Sequence, residues 1–343
     1  MDLNEFYYDL DESFIAQTPL KHRSASKLLV LNKSTGEIKH DEFGSIVNFL
    51  NEGDCLILND SGVFKARIFG TNKKTQAKVE FLLLKQEEPN VWQALCKPAK
   101  RVRCGSWFSF KEGLCCAVVK ELEDGLRLLK FEGFAGDFFS LLNKIGEIPL
   151  PPYIKTKAEL VDPSRYQTIY SKDLGSVAAP TAGLHFTTEI LDKLRQKGVR
   201  IGFVTLHVGL GTFRPVKVSK VENHKMHSES FVLLQNVADL INETKQKGKR
   251  VVCVGTTSCR TIESVLLKKH KICACSGSTD LFIYPGFKFG VVDCLLTNFH
   301  LPCSTLLMLV SAFAGKDNIF KAYSEAKAND YRFFSFGDAM LIL

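Results

Sequence analysis

The sequence predicts a mixed α/β protein in which a large α/β domain carries a small inserted β-barrel. In the outer parts of the chain, apolar runs that end in Gly, Thr, Asn or His alternate with helical stretches, as in an α/β sheet. Between them, short strand-like runs separated by turn residues are typical of a barrel. We therefore expect a discontinuous large α/β domain of residues 1–66 and 149–343 and a barrel of residues 67–148, and a length of 343 residues agrees with two domains.

The composition argues against several classes of protein. Hydrophobic residues make up 45% and charged residues 24% of the chain, as in a globular protein. No apolar run reaches the roughly 18 residues of a membrane span, and the N-terminus does not resemble a signal peptide. The 11 cysteines contain no C-x-x-C pair, which favours reduced thiols in a cytoplasmic protein over a zinc site. A net charge of +8 permits a nucleic-acid partner without requiring one.

The first 66 residues predict a strand, a hairpin, a helical segment and a buried strand. A strand over 28–31 is followed by turn residues and a second strand over 37–40. The apolar spacing over 43–50 is helical, and the continuous apolar run 55–58 is typical of a strand buried on both faces. The polar residues 59–62 that follow are either a turn or ligand contacts at a strand end.

The predicted barrel consists of strand-like runs with glycine-containing turns between several of them. These runs are 79–84, 91–96, 106–110, 115–119 and 126–131. Four cations, Lys97, Lys100, Arg101 and Arg103, fall within seven residues in one of its loops. They form either a solvated loop or a contact to RNA phosphates, which would position RNA without reading its sequence.

The central stretch, residues 175–186, consists mostly of small residues and includes Gly183 and His185. Small side chains let the backbone approach a ligand closely, and Gly183 can adopt a positive φ. A helix is predicted to begin directly afterwards, from Thr187 to about Lys197. The stretch is therefore either a tight turn before a helix or a ligand site at the start of that helix.

Three strand-then-loop units follow and predict a single cleft lined by strand ends. They are 201–206 with loop 207–215, 251–254 with loop 255–258, and 291–296 with loop 297–302. The second unit is either an anion site at the start of a helix over 259–268 or a plain Ser/Thr cap. The third precedes a helix that ends near Ala314, and the aromatic C-terminus is expected to pack against the core.

The histidines near these loops are candidate acids and bases, because histidine titrates near neutral pH. His227 and Glu229 would share one face if they belong to a strand. The sequence contains no phosphate-binding P-loop and no Gly-x-Ser-x-Gly elbow. Gly209-Leu210-Gly211 matches a dinucleotide loop weakly, and the β-like residues 216–218 follow where a helix should. That pattern argues against an ordinary Rossmann methyltransferase or dehydrogenase.

Taken together, the motifs resemble the S-adenosylmethionine:tRNA ribosyltransferase-isomerase family of queuosine biosynthesis along essentially the whole chain. The matching motifs are Ile15-Ala16-Gln17 with Pro19, Leu58-Asn59-Asp60, Ala66-Arg67, 150–154, 165–168, 175–186, 204–213, Met226-His227-Ser228-Glu229, Gly255-Thr256-Thr257, 297–302 and 331–340. The chain departs from the usual pattern at Ser61-Gly62, where the family carries Thr-Arg, at Lys65, where it carries Pro, and at Lys97, where it carries Arg.

The resemblance implies an α/β domain with an inserted barrel, and it also implies the reaction. The ribosyl part of S-adenosylmethionine moves to 7-aminomethyl-7-deazaguanine at the wobble position of tRNA, giving epoxyqueuosine-tRNA, adenine and methionine. S-adenosylmethionine is then a consumed substrate, and neither a true cofactor nor a metal is expected. The sulfonium acidifies the C5′ hydrogen and adenine needs a proton to leave, so at least one acid/base group is required. We expect a monomer.

From this resemblance we assign the candidate residues. His185 or His207 would be the acid/base, with Glu229 or Asp60 as the orienting carboxylate. The predicted substrate-binding residues are Gly183, Gly209, Gly211, Thr256, Thr257, Asn298 and His300, and the predicted tRNA-binding residues are Lys97, Lys100, Arg101 and Arg103. Two other classes stay open at this point: an S-adenosylmethionine-dependent RNA methyltransferase, which would release S-adenosylhomocysteine, and a non-catalytic tRNA-binding protein.

Overall fold

The computed structural model describes residues 1–155, 162–209 and 216–343. Within these ranges the strands are β1 Lys27–Leu31, β2 Ile38–Glu42, β3 Cys55–Asn59, β4 Ser61–Val63, β5 Arg67–Asn72, β6 Lys78–Glu88, β7 Val91–Lys97, β8 Trp107–Ser109, β9 Cys115–Glu121, β10 Leu126–Glu132, β11 Asp173–Ser176, β12 Arg200–Leu206, β13 Glu229–Leu233, β14 Val251–Val254, β15 Cys275–Thr279, β16 Cys294–Asn298 and β17 Ala339–Ile342. The α-helices are α1 Phe138–Ile145, α2 Thr188–Gln196, α3 Gln235–Gln246, α4 Gly255–Lys269, α5 Thr305–Ala314 and α6 Lys316–Ala328. The predicted mixed α/β class with a small barrel is confirmed.

A large mixed sheet forms the centre of the protein. In the described residues its strand order is β15-β13-β12-β3-β14-β16-β17-β1-β2. Strands β12, β3, β14 and β16 run parallel to one another, so their carboxyl ends meet at one edge. The C-terminal strand β17 lies inside the sheet, antiparallel to β16 and parallel to β1, which confirms that the C-terminus is packed into the core.

The continuous apolar run of β3 is explained by burial on both faces of this sheet. All five residues of β3 are buried, and alternate side chains point to opposite faces. Ile57 packs with residues of α3, α4 and α5, whereas Leu56 and Leu58 pack with residues of α2. The sheet is thus covered on both sides, as expected for a largely parallel core.

The barrel is closed, with the strand order β10-β7-β6-β5-β8-β9 among the described residues. The sequence predicted these strands except β5, whose polar residues and Gly70 hide the alternation. A side chain at Gly70 would lie 2.7 Å from the Phe110 ring, so the close packing of the barrel core requires glycine there. Val177 of the central stretch packs into the same core, next to the barrel aromatics. The predicted domain boundaries stay a prediction.

The structure differs from several local expectations in the type or the bounds of an element. Residues 59–62 were expected to be either a turn or ligand contacts at a strand end, and Ser61–Val63 instead forms β4, which pairs in parallel with β11. Residues 255–258, predicted as a loop, form the first turn of α4. The segment 43–50, expected to be helical, contains a 3-10 helix over Phe43–Asn48. The strand predicted over 291–296 corresponds to β16, which begins three residues later, at Cys294. None of the described helices has the length and apolarity needed to cross a bilayer.

Candidate functional site

A cleft lies at the carboxyl ends of the parallel strands. It brings together part of the central stretch, the first turn of α4, the end of β16 and the aromatic C-terminal segment. Its lining residues are Tyr153, Tyr166, Ala178, Ala179, Pro180, Thr181, Ala182, Val208, Gly255, Thr256, Thr257, Thr297, Asn298, Phe299, His300, Leu301, Ser304, Leu306, Phe334 and Ser335. Of the predicted substrate-binding residues, the cleft therefore contains Thr256, Thr257, Asn298 and His300.

Gly183 does not line this cleft, and its predicted positive φ was wrong. The residue lies in a 3-10 helix, Thr181–His185, and it is absent from the positions with positive φ among the described residues. A Cβ at this position would lie 2.0 Å from the Tyr170 hydroxyl oxygen. Glycine is required here because the buried tyrosine occupies the space that a side chain would need.

The first turn of α4 presents backbone N–H groups to the cleft. The N-cap position is Val254, and no side chain caps this end, so the alternative of a plain Ser/Thr cap is wrong. The first amides of an α-helix have no partner within the helix. Gly255 has φ +83°, a conformation that favours glycine, and the buried Thr257 Oγ1 has no hydrogen-bond partner among the described residues. This helix start retains unused hydrogen-bonding capacity.

Asn298 lines the same cleft, is 2% exposed and has an unpaired side-chain oxygen among the described residues. Its Nδ2 donates to the carbonyl oxygens of Phe334, at 3.1 Å, and Asp338, at 3.4 Å, and it lies 3.3 Å from His185 Nε2. Because carbonyl oxygens only accept, these contacts fix which end of the amide is the donor. The Oδ1 atom is buried and has no partner in the described part of the chain.

His185 lies behind Asn298, outside the cleft lining. Its Nδ1 is 2.8 Å from Ser26 Oγ, and its ring stacks on Phe43 with centroids 5.0 Å apart. Burial, with smaller effects from Arg332 and Arg23, lowers the pKa of His185 to about 3. The neutral ring accepts at Nε2 from the Asn298 amide, whose two hydrogens are shared among this nitrogen and the carbonyl oxygens of Phe334 and Asp338, and it donates to Ser26 Oγ from Nδ1. This geometry makes His185 a positioning residue for Asn298 and argues against the predicted acid/base role.

His300 also lies at the cleft and is neutral for the same reason. Its Nε2 is 2.8 Å from Thr297 Oγ1, and its backbone N–H donates to the Tyr323 hydroxyl at 2.9 Å. Burial lowers the pKa of His300 to about 3. It therefore offers the cleft a neutral polar ring near neutral pH.

His207 and Asp60 lie at the ends of β12 and β3, beside the cleft rather than in its lining. Asp60 Oδ1 accepts from Thr205 Oγ1 at 2.7 Å, and burial raises the Asp60 pKa. Burial lowers the pKa of His207, opposed by the charges of Asp173 and Asp60. The buried Nδ1 of His207 has no partner among the described residues. Of the two candidate acid/base histidines, His207 is the one with a ring nitrogen unpaired among the described residues, and this nitrogen packs against Gly175.

Among the described residues, Glu229 has no histidine as a hydrogen-bond partner and forms a buried ion pair with Arg260. Strand β13 begins at Glu229, so His227 lies outside the strand and the predicted shared face was wrong. Glu229 Oε2 lies 2.5 Å from Arg260 Nη1, with both side chains 5% exposed, and its Oε1 accepts from the Gly209 N–H at 2.9 Å. The carboxylate anchors the backbone at Gly209. Gly211 lies outside the described residues.

A second feature, which we call the basic groove, lies on the barrel surface. Its charged lining residues are Lys73, Lys74, Lys100, Arg101 and Arg103, all exposed, and its aromatic residue is Trp107, which is 40% exposed. Lys73 Nζ lies 5.6 Å from the centre of the Trp107 ring. Lys97 does not line this groove.

Sequence reasoning missed the aromatic lining of the cleft and the Arg260 partner of Glu229. Tyr153 and Tyr166 reach the cleft from the linker that follows the barrel, and nothing in their local pattern signals this. Within the described ranges, no group of three or more His, Cys, Asp or Glu side chains could hold a metal ion. The functional roles of all these residues stay predictions.

Comparison with known proteins covers the full chain. A family model described as "Queuosine biosynthesis protein" matches residues 3–342. An "S-adenosylmethionine:tRNA ribosyltransferase-isomerase" of Clostridioides difficile (strain 630) is 56% identical over 343 residues, covering 100% of both chains. A relative of the same description in Staphylococcus haemolyticus is 54% identical over 344 residues, again covering 100% of both. The crystal structure of an S-adenosylmethionine tRNA ribosyltransferase from Thermotoga maritima is similar with a TM-score of 0.58 at 38% identity, covering 99% of this chain and 100% of the other. These comparisons give no support to the methyltransferase or to the non-catalytic RNA-binding protein.

Proposed function

This chain belongs to the queuosine biosynthesis protein family, and from that premise we propose that it is an S-adenosylmethionine:tRNA ribosyltransferase-isomerase. It transfers and isomerises the ribosyl part of S-adenosylmethionine onto 7-aminomethyl-7-deazaguanine at the tRNA wobble position, releasing adenine and methionine. The observation that carries this proposal is the 56% identity, over the full length of both chains, to a relative with that activity in its name.

The chemistry of the cleft supports S-adenosylmethionine as a consumed substrate. Its described lining contains four aromatic residues, Tyr153, Tyr166, Phe299 and Phe334, and no Lys, Arg, Asp or Glu. Aromatic faces attract cations such as the sulfonium through the ring quadrupole. Thr, Asn and neutral His side chains supply hydrogen-bonding groups for the nucleoside, and the reaction needs neither a metal nor a separate cofactor.

We assign proton transfer to His207, with Asp60 as the neighbouring carboxylate. The His207 Nδ1 atom has no partner in the described part of the chain, whereas both nitrogens of His185 are hydrogen-bonded. A base that acts near neutral pH needs a free nitrogen and a pKa close to the working pH. His207→Ala should lower the rate of adenine release by about 100-fold or more, since positioned proton transfer contributes roughly 10²–10⁴.

The function is tested by product analysis with tRNA that carries 7-aminomethyl-7-deazaguanine. Wild-type protein, S-adenosylmethionine and this tRNA are expected to give adenine, methionine and a modified tRNA in equal amounts. Release of S-adenosylhomocysteine would instead identify a methyltransferase. Binding of tRNA with no consumption of S-adenosylmethionine would identify a non-catalytic RNA-binding protein.

We further propose that the basic groove binds the phosphate backbone of the tRNA substrate. Five exposed cations can neutralise successive phosphates, and the exposed Trp107 ring offers a surface for an unpaired base. The variants Lys100→Ala and Arg101→Ala should each weaken tRNA binding and lower the slope of log affinity against log salt by about 1. Lys247→Ala, an exposed cation at the C-cap of α3, is the matched control. Unchanged salt slopes in both groove variants would contradict this role.

We also propose a cytoplasmic monomer, in keeping with a substrate pair of tRNA and S-adenosylmethionine. Light scattering coupled to size-exclusion chromatography is expected to give a mass near 38.4 kDa. A mass of twice this value at micromolar protein would contradict the proposed monomer.

A further inference from the structure

The start of α4 and Asn298 lie side by side at the edge of the sheet. Val254 at the end of β14 is in register with Leu296 of β16, and the two strands are parallel neighbours. Two residues further along each chain stand Thr256 and Asn298. Neighbouring strands lie about 4.8 Å apart, so the helix start and the Asn298 amide are within reach of one small polar group.

The two features have opposite hydrogen-bonding character. The first turn of α4 offers backbone N–H donors, the Thr256 and Thr257 hydroxyls, and the positive end of a helix of 15 residues. Asn298 offers an acceptor, because its Nδ2 is committed to two carbonyl oxygens and His185 while the buried Oδ1 is unpaired among the described residues. A ligand that carries an anion and a donor a few ångströms apart would satisfy both.

The amino-acid end of S-adenosylmethionine has this composition. Its α-carboxylate is the only anion of the molecule, and its α-ammonium is a donor two bonds away. We propose that the α-carboxylate binds the first turn of α4, at the backbone amides and Thr257 Oγ1, and that the α-ammonium donates to Asn298 Oδ1. This inference rests on the proposed function and names the subsite that holds the methionine part.

An RNA phosphate is a poorer fit to this helix start. The described lining of the cleft contains no Lys or Arg side chain, whereas the basic groove on the barrel contains five. Protein contacts to nucleic-acid backbone are dominated by such cations. A zwitterionic head group needs no added counter-charge, and it suits a cleft whose described polar side chains are neutral.

The test compares ligands that differ at one end only. Dissociation constants are measured by calorimetry for S-adenosylmethionine, for decarboxylated S-adenosylmethionine and for the analogue without the α-amino group. Hydrogen bonds to charged groups contribute roughly 1.5–3 kcal/mol, so wild-type protein should bind the decarboxylated compound about 10- to 100-fold more weakly. Loss of the amine should weaken binding about 10-fold or more.

Variants then locate the carboxylate on the helix. Thr257→Val keeps the size of the side chain and removes the hydroxyl. This variant should bind S-adenosylmethionine about fivefold more weakly than the wild type, whereas its affinity for the decarboxylated compound should not change. Thr257→Ser should restore wild-type affinity. Ser258→Ala is the matched control, because Ser258 Oγ already donates to the Val254 carbonyl at 2.8 Å. Thermal unfolding of each variant confirms that it is folded.

The outcomes separate this subsite from the proposed function. Equal binding of S-adenosylmethionine and the decarboxylated compound, or an equal effect of Thr257→Val on both, overturns the subsite even if adenine and methionine are released normally. Discrimination without turnover supports the subsite and contradicts the function. Failure to bind S-adenosylmethionine at all overturns both.

Discussion

The most informative single change is at His185, because sequence and structure assign it different roles. The sequence suggested an acid/base, whereas the structure shows a buried neutral ring between Ser26 Oγ and the Asn298 amide. Replacing it with Ala removes both hydrogen bonds and the ring. Replacing it with Gln retains an acceptor that can reach Asn298. The two variants together separate a positioning residue from a catalytic one.

The expected loss of stability can be estimated from the contacts. The His185 ring is buried and stacked on Phe43, so truncation to Ala leaves a cavity as in other buried aromatic truncations. We expect the free energy of unfolding of His185→Ala to fall by about 3–5 kcal/mol, of which each lost hydrogen bond supplies roughly 1 kcal/mol. His185→Gln should lose about half as much, because it fills part of the space. Urea denaturation measures both values.

The effect on activity should be smaller and should not depend on pH. Without His185 the Asn298 amide retains two carbonyl partners but loses the third contact, so its Oδ1 atom is held less firmly. We expect kcat/KM for S-adenosylmethionine to fall about tenfold in His185→Ala, equivalent to about 1.4 kcal/mol, and less in His185→Gln. Because the pKa of His185 is lowered to about 3, the rate between pH 6 and 9 should keep its wild-type profile.

Initial rates of adenine release, followed from pH 6 to 9, give the comparison, with His207→Ala measured in parallel. A folded His185→Gln protein that loses activity by a thousandfold or more, together with the lower limb of the pH profile, would refute the positioning role. It would return His185 to the catalytic role that the sequence suggested.

Three further predictions concern buried groups. Glu229→Gln leaves the buried Arg260 charge uncompensated and should lower the free energy of unfolding by about 3–5 kcal/mol, whereas the double variant Glu229→Gln with Arg260→Met should recover much of that loss in urea denaturation. Gly183→Ala places a methyl group 2.0 Å from the Tyr170 hydroxyl and should lower Tm, and Tyr170→Phe in the same chain should partly restore Tm; no recovery would contradict the steric explanation. Burial lowers the pKa of His300 to about 3 in the folded protein, whereas the same side chain has a pKa of about 6.5 in the unfolded chain. Below about pH 6.5 the unfolded state therefore binds more protons than the folded state. The free energy of unfolding should therefore fall by about 2 kcal/mol between pH 7 and pH 5 because of His300. In His300→Asn the free energy of unfolding should change measurably less over the same pH range.

Local sequence patterns predicted those strands and helices whose formation depends mainly on neighbouring residues in the chain. The apolar run of β3 predicted a strand buried on both faces, and the cap and apolar spacing after residue 186 predicted α2, which begins at Thr188 behind its cap Thr187. The barrel strands were predicted because turn residues separate several of them. These signals act over a few residues, and tertiary contacts do not override them here.

The parts that could not be predicted depend on pairing across the chain. Strand β4 exists because it pairs with β11, more than 100 residues later, so its polar sequence reads as a turn in isolation. Glu229 was predicted to orient His185 or His207 because nothing local reveals that Arg260 lies opposite it. His185 lies beside other candidate residues in sequence and in space, and only the structure shows that it is absent from the cleft lining and lines a smaller cavity with Arg23 and Arg332.

The central stretch connects the two features on which the proposed reaction depends. Val177 packs into the barrel core, and the next residue, Ala178, lines the cleft. Ser176 donates to Ser61 Oγ at 2.9 Å and accepts from the Val208 N–H at 2.9 Å, so the segment is also hydrogen-bonded to the residues that follow β3 and β12. One short segment therefore packs against the barrel core and also lines the cleft. In the proposed complex, a tRNA bound to the basic groove would contact the barrel whose core this segment joins to the cleft.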